Sequence, residues 1–162
     1  MFCAIIKLQE NKKAGAIEMI REAYASDLQA FLELYTHLHE KEVPPVTEEL
    51  LQIWHGMIQD KNHHIIVCEL DSMIIASCIC VVVPNLTRSV RPYALIENVV
   101  THADYRKQGH ASACLAYAKE IAAQENCYKM MLLTGAKDDA TLRFYRSAGY
   151  NCTDKTAFVQ WL

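Results

Sequence analysis

The chain has 162 residues, 52% hydrophobic and 22% charged, with a formal net charge of −3. That length supports one domain with a full core, and the mild negative charge supplies no field for nucleic acid. No apolar run reaches the roughly 20 residues that a membrane-spanning helix needs. Met1 to Leu8 is apolar but short for a signal peptide, and no small-residue cleavage site follows cleanly, so the expected compartment is the cytoplasm. Seven cysteines are scattered with no C-x-x-C pair, which predicts reduced, buried thiols and no metal site.

Residues 1–15 read as an N-terminal extension and 16–162 as a single domain. Ala16 to Ala23 reads as a first strand. Ser26, with Gln29 three residues on, reads as a capping box opening a helix with Leu28, Phe31, Leu32, Tyr35 and Leu38 on one face. His37 and His39 would point to different sides of that helix and so would not chelate a metal. Pro44-Pro45 breaks the chain, and Thr47 caps a second helix whose apolar stripe is Leu50, Leu51, Trp54, Met57 and Ile58. His64 to Leu70 and Met73 to Val83 form a hairpin turning at Asp71-Ser72. After a loop carrying Arg88 and Arg91, Tyr93 to Thr101 is a strand. Gly109 to Gln124 is a helix, Tyr128 to Thr134 a strand, Asp138 to Ala148 a short helix stopped by Gly149, and Asn151 to Leu162 a last strand. Hairpins first and strand–helix alternation later predict an α/β protein with a mixed sheet flanked by helices.

The stretch from Ile96 to Ala111 carries most of the chemical information. It runs from a strand through Asp104-Tyr105-Arg106 into R-x-x-G-x-A, and so opens a helix. A helix N-terminus presents unpaired N–H groups and positive dipole density, which suit a pyrophosphate. Gly109 admits close approach of main chain, Ala111 keeps the next turn clear, and Arg106 and Lys107 add positive charge. Neither G-K-[ST] nor G-x-G-x-x-G is present, so the loop is neither a P-loop nor a dinucleotide fingerprint. Taken alone, R-x-x-G-x-A also describes an ordinary structural helix start. Glu97 lies in an otherwise apolar strand, where a carboxylate must face a cleft or a partner. Strict alternation would put it on the same side as Val99 and Thr101. His102 and the His63-His64 pair titrate near neutrality and are alternative proton relays, or surface and strand-end residues.

The strand running into D-Y-R, the R-x-x-G-x-A loop and Phe144-Tyr145-Arg146-Ser147-Ala148-Gly149-Tyr150, in that order, resemble the GCN5-related N-acetyltransferase (GNAT) family. The motifs match over roughly Leu95 to Tyr150. The resemblance implies an acyl-CoA N-acyltransferase fold with a mostly antiparallel central sheet, and transfer of acetyl from acetyl-CoA to an amine without a metal. It implies that main-chain groups of Val99, Val100 and Thr101 pair with the pantetheine arm. The loop of Arg106, Lys107, Gln108, Gly109, His110, Ala111 and Ser112 would hold the pyrophosphate. Tyr145 would protonate the departing thiolate, and Glu97 would remove the amine proton. Asp138 stands where the family usually has an asparagine touching the CoA arm. Ile96 to Val100 and Cys127-Tyr128-Lys129 further resemble glucosamine-phosphate N-acetyltransferases, in which case Arg88 and Arg91 would clamp a phosphate. The alternatives are a protein or peptide amine as acceptor, or an acyl-CoA sensor without turnover. A homodimer is compatible with the resemblance; nucleic-acid and membrane partners are not expected.

Overall fold

The computed structural model describes residues 7–10, 17–38 and 40–162. Six strands form one sheet in the order of the chain: β1 (Lys7–Glu10), β2 (Ile17–Glu22), β3 (His63–Leu70), β4 (Met73–Val83), β5 (Tyr93–Thr101) and β6 (Met130–Leu132). Neighbours from β1 to β5 are antiparallel, and β6 runs parallel to β5. β1 lies inside the stretch expected to be an extension, and it pairs with β2 from Lys7↔Ile20 to Glu10↔Ile17. The rest of that stretch, Cys3 and His39 lie outside the described residues.

Two cores form because alternate strand residues face opposite sides. One face carries Ile66, Cys68, Cys78, Cys80, Ala94 and Ile96, and is covered by α4 (His110–Gln124). α5 (Asp139–Ser147) lays Phe144 and Tyr145 against the same core. The other face carries Ile65, Val67, Ile79 and Val100, and is covered by α1 (Leu28–Tyr35) and α2 (Glu48–Gln59) through Phe31, Leu34 and Trp54. A single short turn, α3 (Thr87–Val90), lies in the loop between β4 and β5. Cys68, Cys78, Cys80 and Cys114 are buried free thiols, as expected, whereas Cys127 is half-buried and Cys152 lies exposed beyond α5.

Local chemistry explains most boundaries. Asp71 and Ser72 both have positive φ, as a two-residue hairpin demands. Thr47 Oγ1 accepts the Leu50 N–H at 3.2 Å, capping α2. The start of α1 differs from the expected Ser26–Gln29 box. Ser26 lies inside a 3₁₀ turn (Ala25–Asp27), Asp27 Oδ2 accepts the Tyr24 N–H at 2.7 Å, and Gln29 bonds Glu33 instead. Asp27 wins because it also receives the buried Arg21 guanidinium. His37 follows α1 in a turn rather than sitting on the helix.

Two strand expectations are corrected. β6 spans only Met130–Leu132, and residues 151–162 form no strand despite their β-rich composition. Strand propensity is realised only where a neighbour's N–H and C=O groups are in register, and this segment pairs with none in the described fold.

Candidate active site

The site is built where the sheet splays. β6 pairs Ala94, Leu95 and Ile96 of β5 and then stops at Leu132. From Glu97 onward, β5 therefore has no neighbour on that side, and its edge groups are open to an added strand-like ligand. At the same place β5 bulges. Ser77 pairs with Val100 but Ile79 pairs with Glu97, so β5 uses one residue more than β4. The extra residue is Asn98, with φ of 52°. Asparagine tolerates this left-handed conformation better than most residues, a signal that alternation alone passes over.

The bulge corrects the side-chain phase expected for β5. Ala94, Ile96 and Val99 face the α4 side, whereas Val100 faces the α1–α2 side. Glu97 follows Ile96 and so shares the side of Val100, not that of Val99. Glu97 is half-buried and has no hydrogen-bond or ion-pair partner among the described residues. Its charge is felt by Tyr145, whose phenol is pushed above its ordinary value by burial first, then by Cys78 and Glu97. The carboxylate and the phenol therefore interact only through space, from opposite sides of the sheet, and Glu97 does not line the groove that Tyr145 walls.

A groove of about 600 Å³ runs from the open edge of β5 to the start of α4. Val99, Val100 and Thr101 form its strand wall, and Phe144 and Tyr145 form the facing helix wall. Its far end is the turn of Arg106, Lys107, Gly109, His110, Ala111 and Ser112. Gly109 N-caps α4 with φ of 98°, which a side chain would strain, and Lys107 is also left-handed at 62°. Together they turn the chain so that the first N–H groups of α4 face the groove mouth, an anion site by main chain and dipole.

Some expected site residues have other duties. Arg106 Nε donates to the Thr101 carbonyl at 3.2 Å and Nη2 to the His37 carbonyl at 3.0 Å. It braces the end of β5 against the turn after α1, and the Thr101 carbonyl is already engaged. Gln108 is exposed, donates to the Asp104 carbonyl at 3.2 Å and does not line the groove. Asp138 is the exposed N-cap of α5, accepting the Thr141 N–H at 2.9 Å; this bond holds its carboxyl below the ordinary range. It does not line the groove, whereas Ala140 and Thr141 do. Thr141 could have been found from its i, i+3, i+4 relation to Phe144 and Tyr145. His37 and Leu38 also line the groove, and nothing in the local sequence announces them. The alternative histidines are placed elsewhere: His64 Nδ1 meets Glu22 Oε2 at 3.0 Å, and His102 Nδ1 accepts the Asp104 N–H at 3.3 Å.

The sequence and the fold match known proteins. Residues 28–150 match the acetyltransferase (GNAT) family model. The chain belongs to the GNAT acetyltransferase family. A curated GNAT relative, glucosamine 6-phosphate N-acetyltransferase of Trypanosoma brucei brucei, is 30% identical over 142 residues, covering 84% of this chain and 90% of the relative. A candidate acetyltransferase from Agrobacterium tumefaciens str. C58 is 38% identical with a TM-score of 0.82, covering 88% of this chain and 99% of that one. Glucosamine-6-phosphate N-acetyltransferase from Arabidopsis thaliana has the same fold, with a TM-score of 0.76, 21% identity, and coverage of 89% and 98%. This GNAT chain is accordingly an N-acetyltransferase with the mixed, mostly antiparallel sheet of its family.

Proposed function

We propose that the chain transfers acetyl from acetyl-CoA to the primary amine of a small molecule, by direct attack in a ternary complex in the cytoplasm. The groove along the open edge of β5 beyond Ile96, walled by Tyr145 and ending at the first turn of α4, is the observation that carries this reading. The α4 N-terminal amides would take the pyrophosphate, and edge groups near Val99 would pair with the pantetheine arm and polarise the thioester carbonyl. An alkyl ammonium has a pKa near ~10 and must lose a proton before it attacks. Glu97, half-buried and without a cationic partner among the described residues, would accept that proton directly or through water. The amine nitrogen bonds to the carbonyl carbon, the C–S bond breaks, and Tyr145 gives its proton to the leaving thiolate.

The acceptor we favour is an amino-sugar phosphate, supported by the curated relative named above. The cations in question divide. Arg91 bonds the carbonyls of Asn126 and Cys127, so it ties the loop to the chain before β6. Arg88 lies over the Tyr128 ring at 5.9 Å, and Lys129 lies near the rings of Tyr93 and Tyr128. Arg88 and Lys129 are therefore the better candidates for a phosphate. The test is release of free CoA thiol from acetyl-CoA with glucosamine 6-phosphate, glucosamine and a panel of amines and peptides. Turnover preferring the phosphorylated sugar supports the reading. Turnover on peptide amines alone would move the acceptor class, and tight CoA binding without release by any amine would favour a sensor.

A further inference from the structure

We propose that Glu18, Cys68 and His110 form a binding site for a divalent transition metal of the zinc type, set between the sheet and α4 and joined to the catalytic groove only through His110, which also lines the groove's far end. Ile20 stands opposite Cys68 in the β2–β3 pairing, and Glu18 shares the Ile20 face of β2. Glu18 and Cys68 therefore lie diagonally across two strands, on the face that α4 covers. His110 is the first residue of α4 and turns its ring down onto them. All three are almost wholly removed from solvent, with exposures of 8%, 0% and 2%.

The three potential ligand atoms converge on one point. His110 Nδ1 lies 3.1 Å from Glu18 Oε1, Cys68 Sγ lies 3.5 Å from the same oxygen, and Sγ lies 3.7 Å from Nδ1. Zinc bonds of about 2.0–2.3 Å in tetrahedral array put neighbouring ligand atoms about 3.3–3.7 Å apart. The triangle needs adjustments of only a few tenths of an ångström to close on such an ion. The donor set is of the right kind, a sulfur, an imidazole nitrogen and a carboxylate oxygen. Charge balance favours it too. A dication with one thiolate, one carboxylate and one neutral imidazole is neutral, which a nearly dry interior accepts far more readily than an isolated carboxylate. On binding, the metal forms bonds to Sγ, Oε1 and Nδ1, and the Cys68 proton leaves to solvent. The ring keeps its proton on Nε2, and no redox change is involved. The fourth position is open to water.

The three residues stand 50, 42 and 92 positions apart in the chain, so no local spacing could announce the group. An ion here would fasten the first turn of α4 to two strands, and the amides of that turn face the groove.

The experiment uses the full chain, stripped with a chelator and then titrated with Zn²⁺ alone or Co²⁺ alone. The expected result is uptake of one equivalent by metal analysis, a raised melting temperature, and a thiolate-to-cobalt charge-transfer band with intense tetrahedral d–d bands. Cys68→Ser removes the charge-transfer band and weakens binding at least tenfold; Glu18→Gln weakens it comparably. Stoichiometric uptake absent from the native chain, or unchanged by both substitutions, overturns the proposal. If a variant fails to fold, the native cobalt spectrum still decides: bound cobalt without a thiolate band also overturns it. None of these readouts depends on acetyl transfer.

Discussion

In the proposed mechanism Tyr145 and Glu97 divide the proton traffic, and each role predicts a separable kinetic signature. Burial and the nearby charge of Glu97 keep the Tyr145 phenol protonated through neutral pH. Because its value is raised, the alkaline fall in kcat should come above the ordinary phenol value of about 10. Tyr145→Phe should lower kcat by about 10²-fold or more, a usual contribution of general-acid catalysis, while CoA affinity by calorimetry changes little. Glu97→Gln should lower kcat/KM for the amine at neutral pH and lose less as pH rises towards the amine's own pKa, where free base is already present. A pH-independent loss would instead mark Glu97 as a residue that only shapes the cleft. The sequence made both residues visible, Tyr145 by its motif and Glu97 as a carboxylate in an apolar strand. Their electrostatic coupling was not visible, because the two stand 48 positions apart, with a helix and a parallel strand between them.

At the level of elements, the site depends on places where regular structure is interrupted. Gly109 holds φ of 98°, so Gly109→Ala should cost about 1 kcal/mol and raise the Kd for CoA, as the first amides of α4 turn away from the groove. Calorimetric binding and thermal melting of the same variant would separate the two effects. The β5 bulge at Asn98 is the second interruption. It was not legible from alternation, since a period of two assumes that every residue pairs, and one extra residue reverses the phase of all that follow. The regular elements were far more legible. The limits of β5, Tyr93–Thr101, and of β4, Met73–Val83, follow from composition and turn chemistry, and Thr47 marks the start of α2. Thr47→Ala should lower stability by about 1 kcal/mol in denaturant melts without touching catalysis.

The whole molecule depends on contacts between distant segments. Arg21 of β2 is buried between Asp27, at 2.6 Å, and Glu69 of β3, at 2.7 Å. Removing the guanidinium would leave two poorly solvated carboxylates facing each other. Arg21→Ala should therefore cost about 3–5 kcal/mol in urea unfolding, more than loss of a surface ion pair. The last segment is the opposite case. Phe158 and Trp161 are 93% and 91% exposed, and residues 151–162 form no strand. We extend the proposed function to a homodimer in which this segment packs on a second copy. Sedimentation of a chain ending at Tyr150 should then show monomers, with the melting temperature falling at low concentration only for the longer chain. Equal assembly of both chains would refute the role of the segment.

By itself the sequence determined the identity and extent of most helices and strands, the apolar faces they present, and the turn that opens α4. These are written in local periodicity, caps and glycine positions, where each residue's neighbours in the chain are also its neighbours in space. Only the tertiary structure decided where the sheet opens, which side of β5 Glu97 occupies, that Arg106 also braces the end of β5, and that Glu18, Cys68 and His110 meet. Those outcomes turn on pairings between residues dozens of positions apart. Register, a single bulged residue and competition for a buried carboxylate or an open sheet edge select the pairings, and no local pattern encodes them.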